Sequence, residues 1–296
     1  EAKPYSPAKA INDVRTGLTV EGASWWPGRP RFIRNVVITD RGKLAIRGAT
    51  TFNLYWPGPN PPERWEEPTL WIDHVKKLYP DPVVHNHFFD FAAHAVQFPG
   101  QKVNHGLVMS GAQGIGKDTA LLPLRHAVGE WNAAEVGPDD ITRQYNTFVR
   151  SVLLVVNEVR PHEEEHRAST FYNMLKPLLA APPEMLGVQA KYMNTVYVPN
   201  LCHVILTTND PLTMYIPKED RRLFIMDSPL FDPKLHNVFP EGYFDELHRW
   251  MDEGGCEDVH GWLAARKIDR RKMKEPPPMT EGKRQIITTG TEVRRH

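Results

Sequence analysis

The stretch Gly111-Ala-Gln-Gly-Ile-Gly-Lys-Asp-Thr119 constrains what this chain can fold into more than any other. The apolar run Leu107-Val-Met109 leads into it and the helix-compatible run Thr119-Ala-Leu-Leu122 leads out. That is the strand, glycine loop and helix context of a phosphate-binding loop. Glycine at 111, 114 and 116 lets backbone N–H groups turn inward around phosphate oxygens, where a side chain would block them. The helix N-terminus adds partial positive charge, and Lys117 is placed to reach β- and γ-phosphates. A nucleoside triphosphate site is therefore expected from Gly111, Gly114, Ile115, Gly116, Lys117, Asp118 and Thr119. A tight turn with a chance lysine is the plainer alternative, and it leaves the agreement of motif and context unexplained.

The 296 residues suit one large domain or two modest ones. Formal net charge is zero, so any binding to nucleic acid must come from local patches or from several copies acting together. Cys202 and Cys256 are too few for a disulfide framework, which points to a reducing cytosol. No apolar stretch is long enough to cross a bilayer. The chain opens on Glu-Ala-Lys-Pro with neither initiator Met nor signal peptide, and is expected to be a fragment of a longer polypeptide.

Four segments are expected. Residues 1–50 contain β-structure, with Val36-Val-Ile38 and Leu44-Ala-Ile46 around the turn Asp40-Arg-Gly42. Residues 51–103 hold the connector Trp56-Pro-Gly-Pro-Asn-Pro-Pro62 and two helical stretches, 70–78 and 85–96, that form a collar. Residues 104–230 alternate apolar strands with helices, the pattern of a parallel α/β sheet. Residues 231–296 return to helix at 243–251 and 259–266, then end in a basic, Pro-interrupted tail expected to lack a rigid fold of its own.

Downstream residues narrow the broad class that a phosphate loop marks. Val152-Leu-Leu-Val-Val156 is a buried-strand run ending at Asn157-Glu158, a Walker B pattern in which Glu158 can polarise the water that attacks a γ-phosphate. His203-Val-Ile-Leu206 is a further buried strand, and Asn209 follows it where open α/β sheets place ligands. An amide there can orient water or sense the γ-phosphate; a turn before Asp-Pro is its conformational alternative. Glu219-Asp-Arg-Arg-Leu-Phe-Ile225 puts a basic pair before a strand, as an arginine finger requires, or as a surface salt bridge to Glu219 or Asp220 would. Leu186–Ala190 and Thr195–Val198 alternate as a hairpin with Lys191 and Tyr192 at the tip, a cation and an aromatic suited to a DNA backbone and base.

In this order, GAQGIGKDT, VLLVVNE, the Lys191-Tyr192 hairpin, VILTTND and EDRRLFI resemble the superfamily-3 helicases of the AAA+ class. The likeness is to the helicase part of phage and plasmid primase–helicase proteins, and FNLYWPGPNPP, AVQFPGQK and WLAARKIDRRKMKEPPPMT extend it over roughly residues 50–290. The resemblance implies an α/β P-loop AAA+ core flanked by an N-terminal mixed segment and a C-terminal helical one. It implies a hexameric ring hydrolysing ATP with Mg²⁺ at subunit interfaces, and pore hairpins gripping single-stranded or forked DNA. It further implies Arg221 as the finger reaching a neighbour's nucleotide, with Arg222 as fallback. A primase or polymerase domain on the same full-length chain and a host-cell cytoplasmic location also follow from it.

Two positions depart from the usual pattern. Asp118 stands where Ser or Thr commonly ligates Mg²⁺, and Thr119 beside it points about 100° away. Asn157 stands where an aspartate commonly helps hold the metal. One carboxylate is gained and one lost, so Asp118, Thr119 and Glu158 are the metal candidates, with Asp118 either exchanging for the strand aspartate or only favouring the helix start. His162-Glu-Glu-Glu-His166 matches a zinc-protease pattern, but a solvated acidic helix start after Pro161 explains it as well. His85, His87 and His94 lack a ligand geometry and are expected in helix packing and at the surface. Two other functions remain open, a small-molecule P-loop kinase and a nucleotide-gated DNA-binding scaffold. The kinase leaves Asn209 and the Lys191 hairpin unexplained; the scaffold leaves Lys117, Glu158 and Arg221 unexplained.

Overall fold

The structure is a computed structural model and describes residues 20–40, 42–159, 165–180, 184–192, 194–209, 216–231 and 238–293. The chain begins with a three-stranded sheet in which β3 (Gly42–Asn53) runs parallel to β1 (Gly22–Ser24) and antiparallel to β2 (Phe32–Thr39). The expected hairpin is present, with Val36 opposite Ala45 and Thr39 opposite Gly42. The Pro/Gly connector then packs along the core. Trp131 Nε1 and Asn132 Nδ2 both donate to the Trp56 carbonyl, at 3.1 and 2.9 Å. A side chain at Gly58 would come within 2.5 Å of the Val128 carbonyl, so the close approach requires glycine.

Helices α1 (Thr69–Leu78) and α2 (Pro82–Gln97) follow. Asp81 caps α2 by accepting from the Val83 N–H at 2.8 Å, ahead of Pro82 at the first helical position. Their aromatic faces, with Trp71, Phe88 and Phe91 wholly buried, pack into the main core.

That core is a five-stranded, all-parallel sheet of β4 (Gly106–Ser110), β5 (Ala133–Val136), β6 (Leu153–Val156), and, after the hairpin β7 (Met185–Val188) and β8 (Val196–Pro199), of β9 (His203–Thr208) and β10 (Leu223–Asp227). Its order is β10-β4-β9-β6-β5. Strands β4, β6 and β9 are buried throughout, which is why their sequences read as unbroken apolar runs rather than alternating ones. The helices are α3 (Lys117–Val128), α4 (Pro138–Thr142), α5 (Glu165–Leu179), α6 (Tyr243–Trp250), α7 (Cys256–Ala265) and α8 (Glu281–Val293). One π-helical turn, Met251–Gly255, joins α6 to α7, with Gly254 at φ +115°. Among the described residues no helix is long and apolar enough to cross a membrane.

Two expectations need correction. The histidines of α2 are in packing, but His85 and His94 are buried rather than at the surface. His87 Nε2 lies 2.9 Å from His105 Nε2, and His94 Nδ1 lies 3.0 Å from His203 Nε2, so α2 is tied to the sheet by two imidazole pairs. The C-terminal tail, expected to lack a fold, forms α8, whose Lys283 and Ile286 are buried against the sheet. Its apolar stripe is short, and the anchor is a charged residue that a hydrophobic pattern does not reveal.

Candidate nucleotide-binding site

Strand β4 feeds the loop and α3 carries on from it, so Lys117 is the first helical residue. Gly111, Gly114 and Gly116 all have positive φ, at 154°, 80° and 90°. A Cβ on Gly116 would also lie 2.6 Å from the His74 ring and 2.7 Å from Phe244, so the loop is closed in from behind by α1 and α6. His74 Nε2 sits 2.9 Å from the Gly116 carbonyl and its Nδ1 3.2 Å from the Tyr243 hydroxyl. Such a loop fits phosphate oxygens: its glycines free the N–H groups, and a helix N-terminus and an ammonium converge on it.

Lys117 is 8% exposed. Its ammonium donates to the carbonyls of Gly111 and Ala112, at 2.7 and 2.9 Å, and to Asn209 Oδ1 at 2.8 Å. Burial holds its pKa below the usual lysine value, opposed by the nearby Asp118 carboxylate. Asn209 reaches it because β9 is the direct neighbour of β4 and ends at the same level. Asp118 is exposed at the start of α3, and the Thr119 hydroxyl lies 3.3 Å from His248 Nε2 on α6.

Glu158 follows β6 on the other side of β9, exposed, with a left-handed backbone at φ +51° that costs a non-glycine residue strain. Thr207 of β9 stabilises that turn: its hydroxyl accepts from the Glu158 N–H at 3.2 Å and donates to Asn157 Oδ1 at 3.2 Å. The Asn157 amide donates in turn to Glu135 of β5, whose carboxylate also meets Arg125 of α3 at 2.5 Å. A carboxylate does lie beside Asn157, but it comes from the neighbouring strand.

The basic pair sits elsewhere. Leu223 pairs with Gly106 and Asp227 with Ser110, so Arg221 precedes β10 at the end of the sheet opposite the loop. Five strand residues separate the two ends, about 16 Å. Asp220 is buried and bonded internally, so the alternative of a surface salt bridge to it is excluded. Arg222 hydrogen-bonds Tyr172, whereas Arg221 is exposed and has no hydrogen bond or ion pair among the described residues.

Lys191 and Tyr192 lie at the tip of the β7–β8 hairpin, with Tyr192 92% exposed and the Lys191 ammonium 5.0 Å from its ring centre. Asn146 braces the hairpin below its tip: it donates to the Gly187 carbonyl and accepts from the Gln189 N–H, at 2.9 and 2.8 Å. Of the zinc-type pattern, His162 and Glu163 lie outside the described residues. No group of three His, Cys, Asp or Glu among the described residues is arranged to hold a metal ion. A Mg²⁺ held by one or two carboxylates and substrate phosphates needs no such cage.

Known proteins are similar to this chain in sequence and fold. A protein-family model described as a family of unknown function (DUF5906) matches residues 109–222, from the loop to the basic pair. The DNA primase-polymerase of Nitratiruptor phage NrS-1 is 24% identical over 280 residues, covering 83% of this chain and 37% of the phage protein. The chain is related to a phage primase–polymerase. An apo structure of the NrS-1 C-terminal region superposes with a TM-score of 0.74 at 21% identity, covering 90% of this chain and 60% of that one. A second apo form of the region gives 0.70 over the same shares. This chain thus spans well under two thirds of the phage protein, and the superpositions show a shared fold. The expected α/β core and the resemblance to phage primase–helicase proteins are both borne out.

Several residues of the site were not anticipated from sequence. Thr207 and Glu135 act through the Glu158 turn, His74 and His248 flank the loop, and Tyr172 and Lys283 hold Asp220. Glu135, in the short run Ala133-Ala-Glu-Val136, had the only available signal, an acidic residue on a strand next to Walker B.

Proposed function

We propose that the chain is an ATP-dependent DNA helicase or translocase of phage or plasmid replication, working as a ring, a hexamer by the family resemblance, with ATP hydrolysed between subunits. The observation that carries this reading is the 2.8 Å contact between Lys117 and Asn209, with Glu158 on the adjoining strand. It joins the phosphate loop, the sensing amide and the acidic residue at one end of one sheet, where an α/β fold places its ligand.

In this reading Gly111, Gly114, Ile115 and Gly116 offer backbone N–H groups to the phosphates, and Lys117 transfers its hydrogen bonds from loop carbonyls to phosphate oxygens. Glu158 polarises the attacking water, and Asn209 orients it. Asp118, Thr119 and Glu158 would hold Mg²⁺, which supplies charge neutralisation on the phosphates. Arg221 serves a neighbour's nucleotide because its own is a sheet-length away, and Arg222 is already engaged by Tyr172. Lys191 and Tyr192 supply a phosphate contact and a stacking face for single-stranded or forked DNA. With a formal net charge of zero there is no global attraction to DNA, so such binding would rest on these tips, repeated around a ring. The phage relative's name supports a place in replication, with a primase or polymerase domain on the full-length chain, in the host cytoplasm.

The test is steady-state ATP hydrolysis with and without single-stranded DNA. DNA-stimulated turnover that disappears in Lys117→Ala is expected. Tight ATP binding with no turnover under any condition would instead support the DNA-binding scaffold, and turnover requiring a small acceptor would support a kinase.

A further inference from the structure

The C-terminal helix reaches back to the residues that present the arginine pair. Lys283 Nζ donates to Asp220 Oδ1 at 2.9 Å, to the Asp220 carbonyl at 2.9 Å and to the Leu223 carbonyl at 2.8 Å. An ammonium has three donors, so none is left over. The two side chains are 2% and 0% exposed. The Asp220 carboxylate also accepts from the N–H groups of Arg222 and Leu223, at 3.1 and 3.0 Å, and from the Tyr172 hydroxyl. A buried ion pair is tolerated only when its remaining hydrogen-bonding capacity is met, and this one is met from three elements.

The lock brackets the arginine pair. Asp220 before Arg221 and Leu223 after Arg222 are both gripped by the same ammonium, and Arg222 is held at its N–H and at its guanidinium by Asp220 and Tyr172. Of the two, Arg222 is half-buried and Arg221 is exposed. Strand β10 needs no such fastening for itself, since all five of its residues already pair with β4.

We propose that Lys283, together with Tyr172, is a positioning residue for Arg221, so that the C-terminal helix sets where the arginine meets the neighbouring subunit's nucleotide. This rests on the reading that Arg221 acts between subunits. A finger displaced by an ångström forfeits most of its effect, so Lys283→Met is expected to lose about a hundredfold in ATP turnover while still binding ATP.

Mixed-subunit complementation tests this on the whole chain. A Lys117→Ala subunit cannot use its own site but presents an intact Arg221. Mixing it with Lys283→Met subunits is expected to restore partial turnover, as mixing it with Arg221→Ala does. Mixing Lys283→Met with Arg221→Ala is expected to restore nothing, because both lack the same half of the interface. If Arg221→Ala is rescued by Lys117→Ala but Lys283→Met is not, Lys283 acts within its own subunit and the proposal is overturned. If Arg221→Ala is itself not rescued, the reading of Arg221 falls, and this proposal with it. Should Lys283→Met fail to fold, Tyr172→Phe keeps the ion pair and carries the test, with a smaller loss in the same complementation class expected and wild-type turnover overturning it.

Discussion

Acidification from pH 7 to 5 should cost this fold about 4 kcal/mol through His94 and His105 alone. These imidazoles are 0% and 1% exposed. Burial pushes them down from the ordinary 6.5 to about 4 and about 3, helped by Lys274 near His94 and by His87 beside His105. A folded-state pKa below the unfolded value means the unfolded chain binds protons first. The stability is therefore fully present above pH 6.5 and is lost as pH falls toward the folded values. At pH 5 an unfolded histidine gains about 2 kcal/mol from protonation that a folded one with pKa near 4 or 3 forgoes, against about 0.2 kcal/mol at pH 7. His94 is among the groups that hold His105 down, but both stay neutral in the folded chain at pH 5, so their effects add to first order. His87 and His203, also depressed by burial, act in the same direction. The assay is urea unfolding followed by tryptophan fluorescence at pH 7, 6 and 5, where histidines titrate far more than carboxylates do. A large share of a typical stability of about 5–15 kcal/mol should disappear, and His105→Gln should flatten the dependence. Equal unfolding free energies at pH 7 and 5, within about 1 kcal/mol, would refute the buried neutral pairs.

Three further outcomes are expected. If the amide acts on the transition state as proposed, Asn209→Ala should lower ATP turnover by about a hundredfold with little change in nucleotide affinity; equal losses in binding and turnover would contradict that role. Lys191→Ala should weaken single-stranded DNA binding and reduce the salt slope by about one phosphate's worth, while Tyr192→Ala should weaken it without changing that slope; salt titrations of binding decide. Asp118→Ser and Asn157→Asp should each impair Mg²⁺-dependent turnover, and the double variant should recover part of it. No recovery over the singles would sink the carboxylate exchange and leave Glu135, already bonded to Asn157, as the carboxylate to test next.

What the sequence revealed was local. The glycine loop, the strand runs ending at Glu158 and Asn209, and the Lys191-Tyr192 hairpin are each written in consecutive residues whose pattern follows from backbone geometry. The interactions that assemble them join distant residues. Lys283 lies 63 positions from Asp220, His94 lies 109 from His203, and the His248 beside Thr119 is 129 away. No periodicity announces such pairs, and polar residues in the core run against the hydrophobic pattern that finds strands. Glu135 was hidden for a different reason: on an edge strand of only four residues, an acidic side chain reads as ordinary solvated surface. The tail is helical despite its prolines because Pro276 to Pro278 precede α8 and do not interrupt it.

The most direct measurement is the ATP hydrolysis rate per subunit as protein concentration rises through assembly, for the native chain and for Arg221→Ala. A loop and an arginine at opposite ends of one sheet predict a native rate that climbs cooperatively with concentration, and an Arg221→Ala rate that stays flat although ATP still binds. A native rate independent of concentration, or undiminished turnover in Arg221→Ala, would contradict a site completed by the neighbouring subunit.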